Sequence, residues 1–220
     1  MNNRAAIFLW ANLVMLSPVA MAQLVDFAAD PERMKARIQA LGQFGSNREG
    51  GVSRVAYSDA DIAGRQYISE LMREVGLTVR VDTAGNVIGR REGSEEDLPP
   101  IMFGSHIDSV PGGGNYDGDV GVIGAIEVAQ LLHERGIITR HPIEVVSFTD
   151  EEGGLVGSRA MVGKMTDAAL DVVSHSGMTV RNGIRHVGGD PDRLHLAERK
   201  PGDISAFIEL HIEQGAILDE

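Results

Sequence analysis

Two short apolar runs, residues 101–103 and 143–148, flank an apolar stretch over residues 118–134 that is long enough for a helix. Neither run alternates cleanly between apolar and polar residues, which is typical of strands buried on both faces. The order strand, helix, strand predicts a βαβ unit with parallel strands. We therefore expect an α/β fold with a mostly parallel sheet flanked by helices, and a ligand site beyond the carboxyl ends of the strands.

Local signals predict the remaining elements. Capping residues and apolar spacing indicate helices over about 30–41 and 58–75, a hairpin from 77–81 and 87–89, and a strand over about 204–212. The polar, glycine-rich residues 164–203 are expected to lie at the surface or to connect helices.

The composition favours a globular protein that acts on small molecules or peptides. Hydrophobic residues make up 43% of the 220 residues, enough to fill a core. The net charge of -12 argues against a nucleic-acid partner or an anionic membrane, because binding phosphates requires clustered Lys and Arg. The chain has no cysteine, which excludes disulfides and thiolate metal sites.

The first 22 residues have the pattern of a secretory signal peptide. Arg4 precedes an apolar stretch, residues 5–16, and the triplet Ala20-Met21-Ala22 is typical of a cleavage site. The apolar stretch is shorter than the ~20 residues that a spanning helix requires, and an uncleaved anchor is the alternative. The sequence therefore predicts a signal peptide over 1–22 and export, in a bacterium to the periplasm.

Charged residues are concentrated where the two strands end. The segment GSHIDSVPGGGNYDGDVG, residues 104–121, follows the first strand. An imidazole that binds a metal usually donates its other N–H to a carboxylate, and Asp108 is placed to receive it from His106. Asp117 precedes the helix, whose N-terminal dipole favours an anion, and its carboxylate can bridge two metal ions. Glycines 112–114 allow the turn that returns Asp117 to His106.

Glu151 and Glu152 follow the second strand directly. Adjacent carboxylates in one pocket repel each other unless a cation or a shared proton compensates. With a metal present, one can bind it while the other acts as a general base toward water. Each cluster alone is more often an ordinary surface feature, so the hypothesis of a metal site depends on their combination.

Three segments, in this order and spacing, resemble the N-carbamoyl-L-amino-acid hydrolase and allantoate amidohydrolase family, within the zinc-dependent aminoacylase and carboxypeptidase superfamily. They are GSHIDSVPGGGNYDGDVGVIGAIE, FTDEEGGLVGSR and ELHIEQG. The last is the most specific to the family. The resemblance runs from about residue 30 to the last residue. It implies that residues 23–220 form the N-terminal part of a zinc-exopeptidase-like catalytic domain, truncated before the dimerisation domain.

The resemblance also implies a dinuclear site, with zinc ions first and manganese or cobalt as alternatives. Its implied metal ligands are His106, Asp117, Glu152 and His211. Asp117 would bridge the two ions, Glu151 would be the general base, and Asp108 would orient a histidine ligand. Gln214 would line the substrate pocket.

The implied reaction is attack by a metal-bound hydroxide on the carbonyl of a linear, non-peptide amide, above all an N-carbamoyl-L-amino acid. The alternatives are a metallo-exopeptidase or aminoacylase, and a non-catalytic truncated remnant. Family chains continue past HIEQG with a dimerisation domain and a return segment that supplies another histidine ligand. We therefore expect these 220 residues to be a fragment or a truncated chain with little activity, and a full-length form to be a homodimer.

Overall fold

The computed structural model describes residues 28–213 and residue 217. The predicted signal peptide, residues 1–22, and Gln214 lie outside the described residues. None of the helices in the described part of the chain is long and apolar enough to cross a bilayer.

A five-stranded sheet in the order β1-β2-β4-β3-β5 forms the centre of the fold. Its strands are β1 (Thr78–Val81), β2 (Val87–Arg91), β3 (Ile101–His106), β4 (Ile143–Phe148) and β5 (Ala206–Ile208). β3 is parallel to both β4 and β5, whereas β2 is antiparallel to both β1 and β4. Four strands therefore point the same way and β2 alone opposes them, which confirms the predicted α/β fold and mostly parallel sheet.

Three long helices cover one face of the sheet. They are α1 (Pro31–Leu41), α2 (Asp59–Glu74) and α3 (Asp119–Glu134). Their apolar side chains form the main core with Val87, Ile143 and Val145 of the sheet. The carboxylate of Asp30 caps α1, as the sequence predicts, and the hydroxyl of Ser58 caps α2.

Shorter helices follow β4. They are α4 (Glu151–Gly154), α5 (Val156–Met161), α6 (Asp167–Leu170), α7 (Val180–His186) and a 3₁₀ helix (Pro191–Leu196). Met161 of α5 packs on Met102 and Val146, which project from the face opposite Val145 because side chains alternate along a strand. Next to this contact the face opens into a groove of about 660 Å³, whose apolar lining includes Phe148 and Phe207.

β5 is shorter than the predicted strand over 204–212. Its three residues pair with the first three residues of β3 and are exposed, as at a sheet edge. Further along β3, a side-chain hydrogen bond replaces the backbone pairing: Ser105 Oγ donates to Glu209 Oε1 at 2.5 Å. The chain therefore leaves the ladder before His211 and crosses the start of α3, where the main-chain oxygen of Leu210 approaches Gly121.

Candidate metal centre

His106 is the last residue of β3 and is 2% exposed. Its Nδ1 lies 2.9 Å from the main-chain oxygen of Asp108. Because a carbonyl oxygen can only accept, Nδ1 carries the proton and a neutral ring keeps a free lone pair on Nε2. Nε2 lies 3.7 Å from Asp117 Oδ1 and 3.6 Å from Glu151 Oε2. The ring therefore presents a ligand nitrogen to these carboxylates.

Asp117 lies in the loop that leads into α3, and Gly118 beside it makes the close approach to His106 possible. Gly118 has a φ of 67°, and a Cβ atom there would lie 2.5 Å from Nε2 of His106. A side chain is therefore excluded by both strain and space. Of the three glycines that the sequence indicated for this turn, Gly112 has a positive φ, at 72°.

His211, beyond the end of β5, completes a group of three side chains. Its Nδ1 lies 2.8 Å from the main-chain oxygen of Ile212, which leaves Nε2 facing Asp117 Oδ1 at 3.3 Å. Its ring stacks on that of His106 with 5.8 Å between centroids. His106, Asp117 and His211 each offer one ligand atom, and these atoms lie within 4.8 Å of one another. Two imidazole nitrogens and a carboxylate fit a catalytic zinc or a similar divalent ion, which has three protein ligands and an open position.

Glu151 and Glu152 begin α4, immediately after β4 and a left-handed Asp150 with a φ of 49°. Burial raises the pKa of Glu152, and contact with the carboxylate of Asp117 raises this pKa further. Two carboxylates in contact share a proton or hold a cation between them. Within residues 28–213 and 217 no third ligand joins Asp117 and Glu152 in a separate group of three. A second ion, as implied by the resemblance, would therefore have two candidate ligands in the described part of the chain.

The Asp108 carboxylate has a partner different from the one that the sequence indicated. Oδ1 is 3.9 Å from Nδ1 of His106, and the main-chain oxygen accepts the ring proton instead. The carboxylate accepts hydrogen bonds from the amides of Glu151 at 3.2 Å and Glu152 at 3.1 Å. β3 ends at His106, so Asp108 lies outside the extended register on which the expectation depended. Asp108 therefore connects His106, through its main-chain oxygen, with Glu151 and Glu152, through its carboxylate.

Residues 86–185 match the model of Peptidase family M28, a span that contains five of the predicted site residues: His106, Asp108, Asp117, Glu151 and Glu152. The N-carbamoyl-L-amino acid amidohydrolase of Geobacillus stearothermophilus is 45% identical over 194 residues, which cover 86% of this chain and 47% of the relative. The ureidoglycolate hydrolase of Oryza sativa subsp. japonica is 37% identical over 203 residues, 88% of this chain and 42% of the relative.

Solved structures agree. The crystal structure of a hydantoinase/carbamoylase family amidase from Burkholderia ambifaria matches with a TM-score of 0.80 at 33% identity, over 88% of this chain and 47% of that one. The chain belongs to the N-carbamoyl-L-amino-acid hydrolase family. This confirms the resemblance and places the chain in a family of amidohydrolases. It spans about half the length of the curated relatives it matches.

Asn86 and Arg54 support the site in this family member, and the sequence reasoning missed both. Asn86 is fully buried; its Oδ1 accepts from the Thr149 amide at 3.0 Å, and its Nδ2 donates to Asp82 at 2.9 Å and to the Gly157 carbonyl at 3.3 Å. It therefore holds both ends of the loop that presents the glutamate pair. Neither residue belongs to the three recognised segments, and no local pattern marks them.

Proposed function

We propose that this chain is the metal-binding part of an amidohydrolase that cleaves linear amide bonds in ureido compounds, most directly N-carbamoyl-L-amino acids. The observation that carries the proposal is the convergence of His106, Asp117 and His211 within 4.8 Å, beside the Glu151-Glu152 pair. The substrate class is supported by the relatives, which include an N-carbamoyl-L-amino acid amidohydrolase and a ureidoglycolate hydrolase.

The metal ions proposed for this site are zinc, with manganese or cobalt as alternatives. His106, Asp117 and His211 would hold one ion, and Asp117 with Glu152 would contribute to a second. When bound, the ions polarise the substrate carbonyl and lower the pKa of water.

Glu151 is proposed as the general base. Its side chain is 31% exposed, and its carboxylate faces the histidine ligand from the open side of the site. The Asp108 carboxylate fixes the backbone of Glu151 through its amide. Glu151 would take a proton from the attacking water and pass it to the leaving nitrogen as the C–N bond breaks. With an N-carbamoyl substrate, the carbamic acid left by this cleavage would decompose by breaking its own C–N bond, so that the products are the free amino acid, ammonia and carbon dioxide.

The same proposal includes three points that rest on the sequence alone. Residues 1–22 would direct export, Gln214 would contact the substrate, and a full-length form would dimerise.

A metallo-exopeptidase is the second candidate function, because the Peptidase family M28 model matches residues 86–185. The two candidates share the metal centre and differ in substrate. Turnover of dipeptides without turnover of N-carbamoyl-L-amino acids would establish the second and contradict the first.

The test is to assay the full-length gene product on both substrate classes with added zinc, manganese or cobalt. We expect turnover of N-carbamoyl-L-amino acids. Glu151→Gln should lower kcat by roughly 10²- to 10⁴-fold, because the amide cannot accept the proton, while metal content stays unchanged. Glu152→Gln should instead lower the metal content, because it removes a ligand of the second ion.

The matched control is Glu74→Gln, which changes an exposed glutamate at the end of α2 and should leave both kcat and metal content unchanged. A Glu151→Gln variant with the kcat of the unmodified enzyme would rule out the assigned base. Metal binding without turnover of any amide would support the non-catalytic alternative.

A further inference from the structure

Arg54 is a buried arginine beneath the metal centre, with 1% of its surface exposed. Its side chain makes five hydrogen bonds. Nε donates to the carbonyl of Ile107 at 2.6 Å, and Nη1 donates to the carbonyls of Leu41 at 2.8 Å and Phe44 at 3.0 Å. Nη2 donates to both carboxylate oxygens of Asp119, each at 2.6 Å.

These contacts join two of the chain segments that carry proposed metal ligands. Ile107 directly follows His106, and Asp119 lies two residues after Asp117, at the start of α3. The guanidinium group therefore connects the end of β3 to the start of α3.

The main chain of Arg54 adds two further contacts to the same strand end. Its amide donates to Ser109 Oγ at 3.0 Å, and its carbonyl accepts from the Ser109 amide at 3.0 Å. The segment of residues 107–109 is thus held by both the side chain and the backbone of Arg54. This segment includes the Asp108 carbonyl, which accepts the ring proton of His106.

We propose that Arg54 is a positioning residue that sets the separation of His106 and Asp117 before a metal ion binds. This inference rests on the proposed metal centre. A buried ion pair is weak evidence for stability, because apolar residues of similar volume often replace one without loss. What an apolar pair could not do is bind the Asp119 carboxylate and three main-chain carbonyls at once.

Arginine suits this role better than lysine. Its five donors form a rigid planar fork, whereas an ammonium group offers three donors on a flexible stem. In Arg54→Lys, one nitrogen could not bind both oxygens of Asp119 and also reach the Ile107 carbonyl. The charge would remain while the fixed spacing of the two segments would be lost.

The test compares Arg54→Lys and Asp119→Asn with a control on the same helix, Glu127→Gln. Glu127 is also 1% exposed and pairs with Arg33 at 2.6 Å, but it joins α3 to α1 and contacts no metal ligand. All three substitutions weaken an ion pair in which the carboxylate of α3 is buried. Only the first two act on the segments that carry His106 and Asp117.

Two measurements on the full chain separate positioning from a purely structural role. The first is the affinity for Co²⁺, followed by its visible spectrum. The second, made without metal at a pH where the ring is neutral, is the ¹⁵N signal of the His106 imidazole, which reports which ring nitrogen carries the proton. A loss of stability alone changes neither measurement.

We expect Arg54→Lys and Asp119→Asn to weaken Co²⁺ binding by roughly 10- to 100-fold, the usual effect of losing a group that orients a ligand. In both variants the His106 ring should change from one tautomer, protonated at Nδ1, to a mixture. Glu127→Gln should keep the single tautomer and the Co²⁺ affinity of the unmodified chain, even if its melting temperature falls by as much as that of the other two variants.

Equal Co²⁺ affinity and an unchanged tautomer in the Arg54 and Asp119 variants would overturn the proposal. If Arg54→Lys does not fold, the result for Asp119→Asn decides the question. The asparagine keeps the size of the side chain and one acceptor oxygen. If the unmodified chain binds no Co²⁺, the proposed function fails, and the ring signal still decides the role of Arg54.

Discussion

At the scale of residues, several carboxyl groups are buried near the candidate metal centre. Asp61, Asp108 and Asp150 are among those that are 3% exposed or less. Burial is the main reason that the pKa of each is raised, for Asp150 to about 6 and for Asp108 well above its usual range. A divalent cation near them would favour their ionised forms, because an opposite charge nearby offsets the cost of burial.

Asp61 gives this electrostatic description a pH test that does not involve a metal ligand. Its carboxylate accepts a hydrogen bond from the Tyr57 amide at 2.8 Å, but burial dominates and raises its pKa. The folded state therefore binds a proton more tightly than the unfolded state, whose Asp pKa is ~3.9. The resulting stability is fully present below that unfolded pKa and is lost as pH rises through the folded pKa.

We therefore expect Asp61→Asn to reduce the fall in melting temperature of the metal-free chain as pH rises from about 4 to about 8. The amide keeps an acceptor for Tyr57 and does not titrate. Part of the slope should remain, because Asp108 and Asp150 still contribute. Asp171→Asn is the control, since that side chain is 73% exposed and should leave the slope unchanged. An equal slope in Asp61→Asn and the unmodified chain would contradict the assignment.

At the scale of elements, the loops that follow β3 and β4 depend on buried side chains from elsewhere in the chain. Asn86 directly precedes β2. It forms hydrogen bonds with Thr149 and Gly157, which lie 63 and 71 residues further along the chain. A glycine is required at 157, because a Cβ atom there would clash with the Asn86 amide. This amide therefore sets where α4 begins and where Glu151 and Glu152 lie.

Asn86→Ala should destabilise the chain by about 1–3 kcal/mol, because it leaves the buried Thr149 amide and an oxygen of Asp82 without partners. Urea unfolding measures this change. The control Asn182→Ala alters an exposed asparagine of α7 and should stay within about 0.5 kcal/mol. A loss for Asn86→Ala no larger than that of the control would show that the loop does not need the amide.

The bounds of α1, α2, β4 and the β1–β2 hairpin could be predicted because caps, turns and apolar spacing are local signals. The end of β5 and the partner of the Asp108 carboxylate could not, because both depend on where β3 stops pairing with its neighbours. Arg54 was missed for the same reason: its partners Ile107 and Asp119 lie 53 and 65 residues away in the sequence. Motifs indicated the proposed ligands, and contacts between residues far apart in the sequence fix the positions of these side chains.

At the scale of the whole molecule, one face of the sheet is covered by three long helices and the other is partly open. The groove beside β5 has exposed apolar residues, among them Phe207 at 45%. The chain spans 47% of the Geobacillus stearothermophilus relative, and the described residues include the two ligands proposed for a second ion, Asp117 and Glu152. The ligands proposed for the first ion, His106, Asp117 and His211, lie together in one group.

The central claim is that His106, Asp117 and His211 hold one divalent ion. The direct measurement is anomalous X-ray diffraction at the zinc absorption edge, on crystals of the chain grown with Zn²⁺. The account predicts a strong peak about 2.0–2.2 Å from Nε2 of both histidines and from an Asp117 oxygen. Crystals with no peak at this position, or with zinc bound only to other residues, would contradict it.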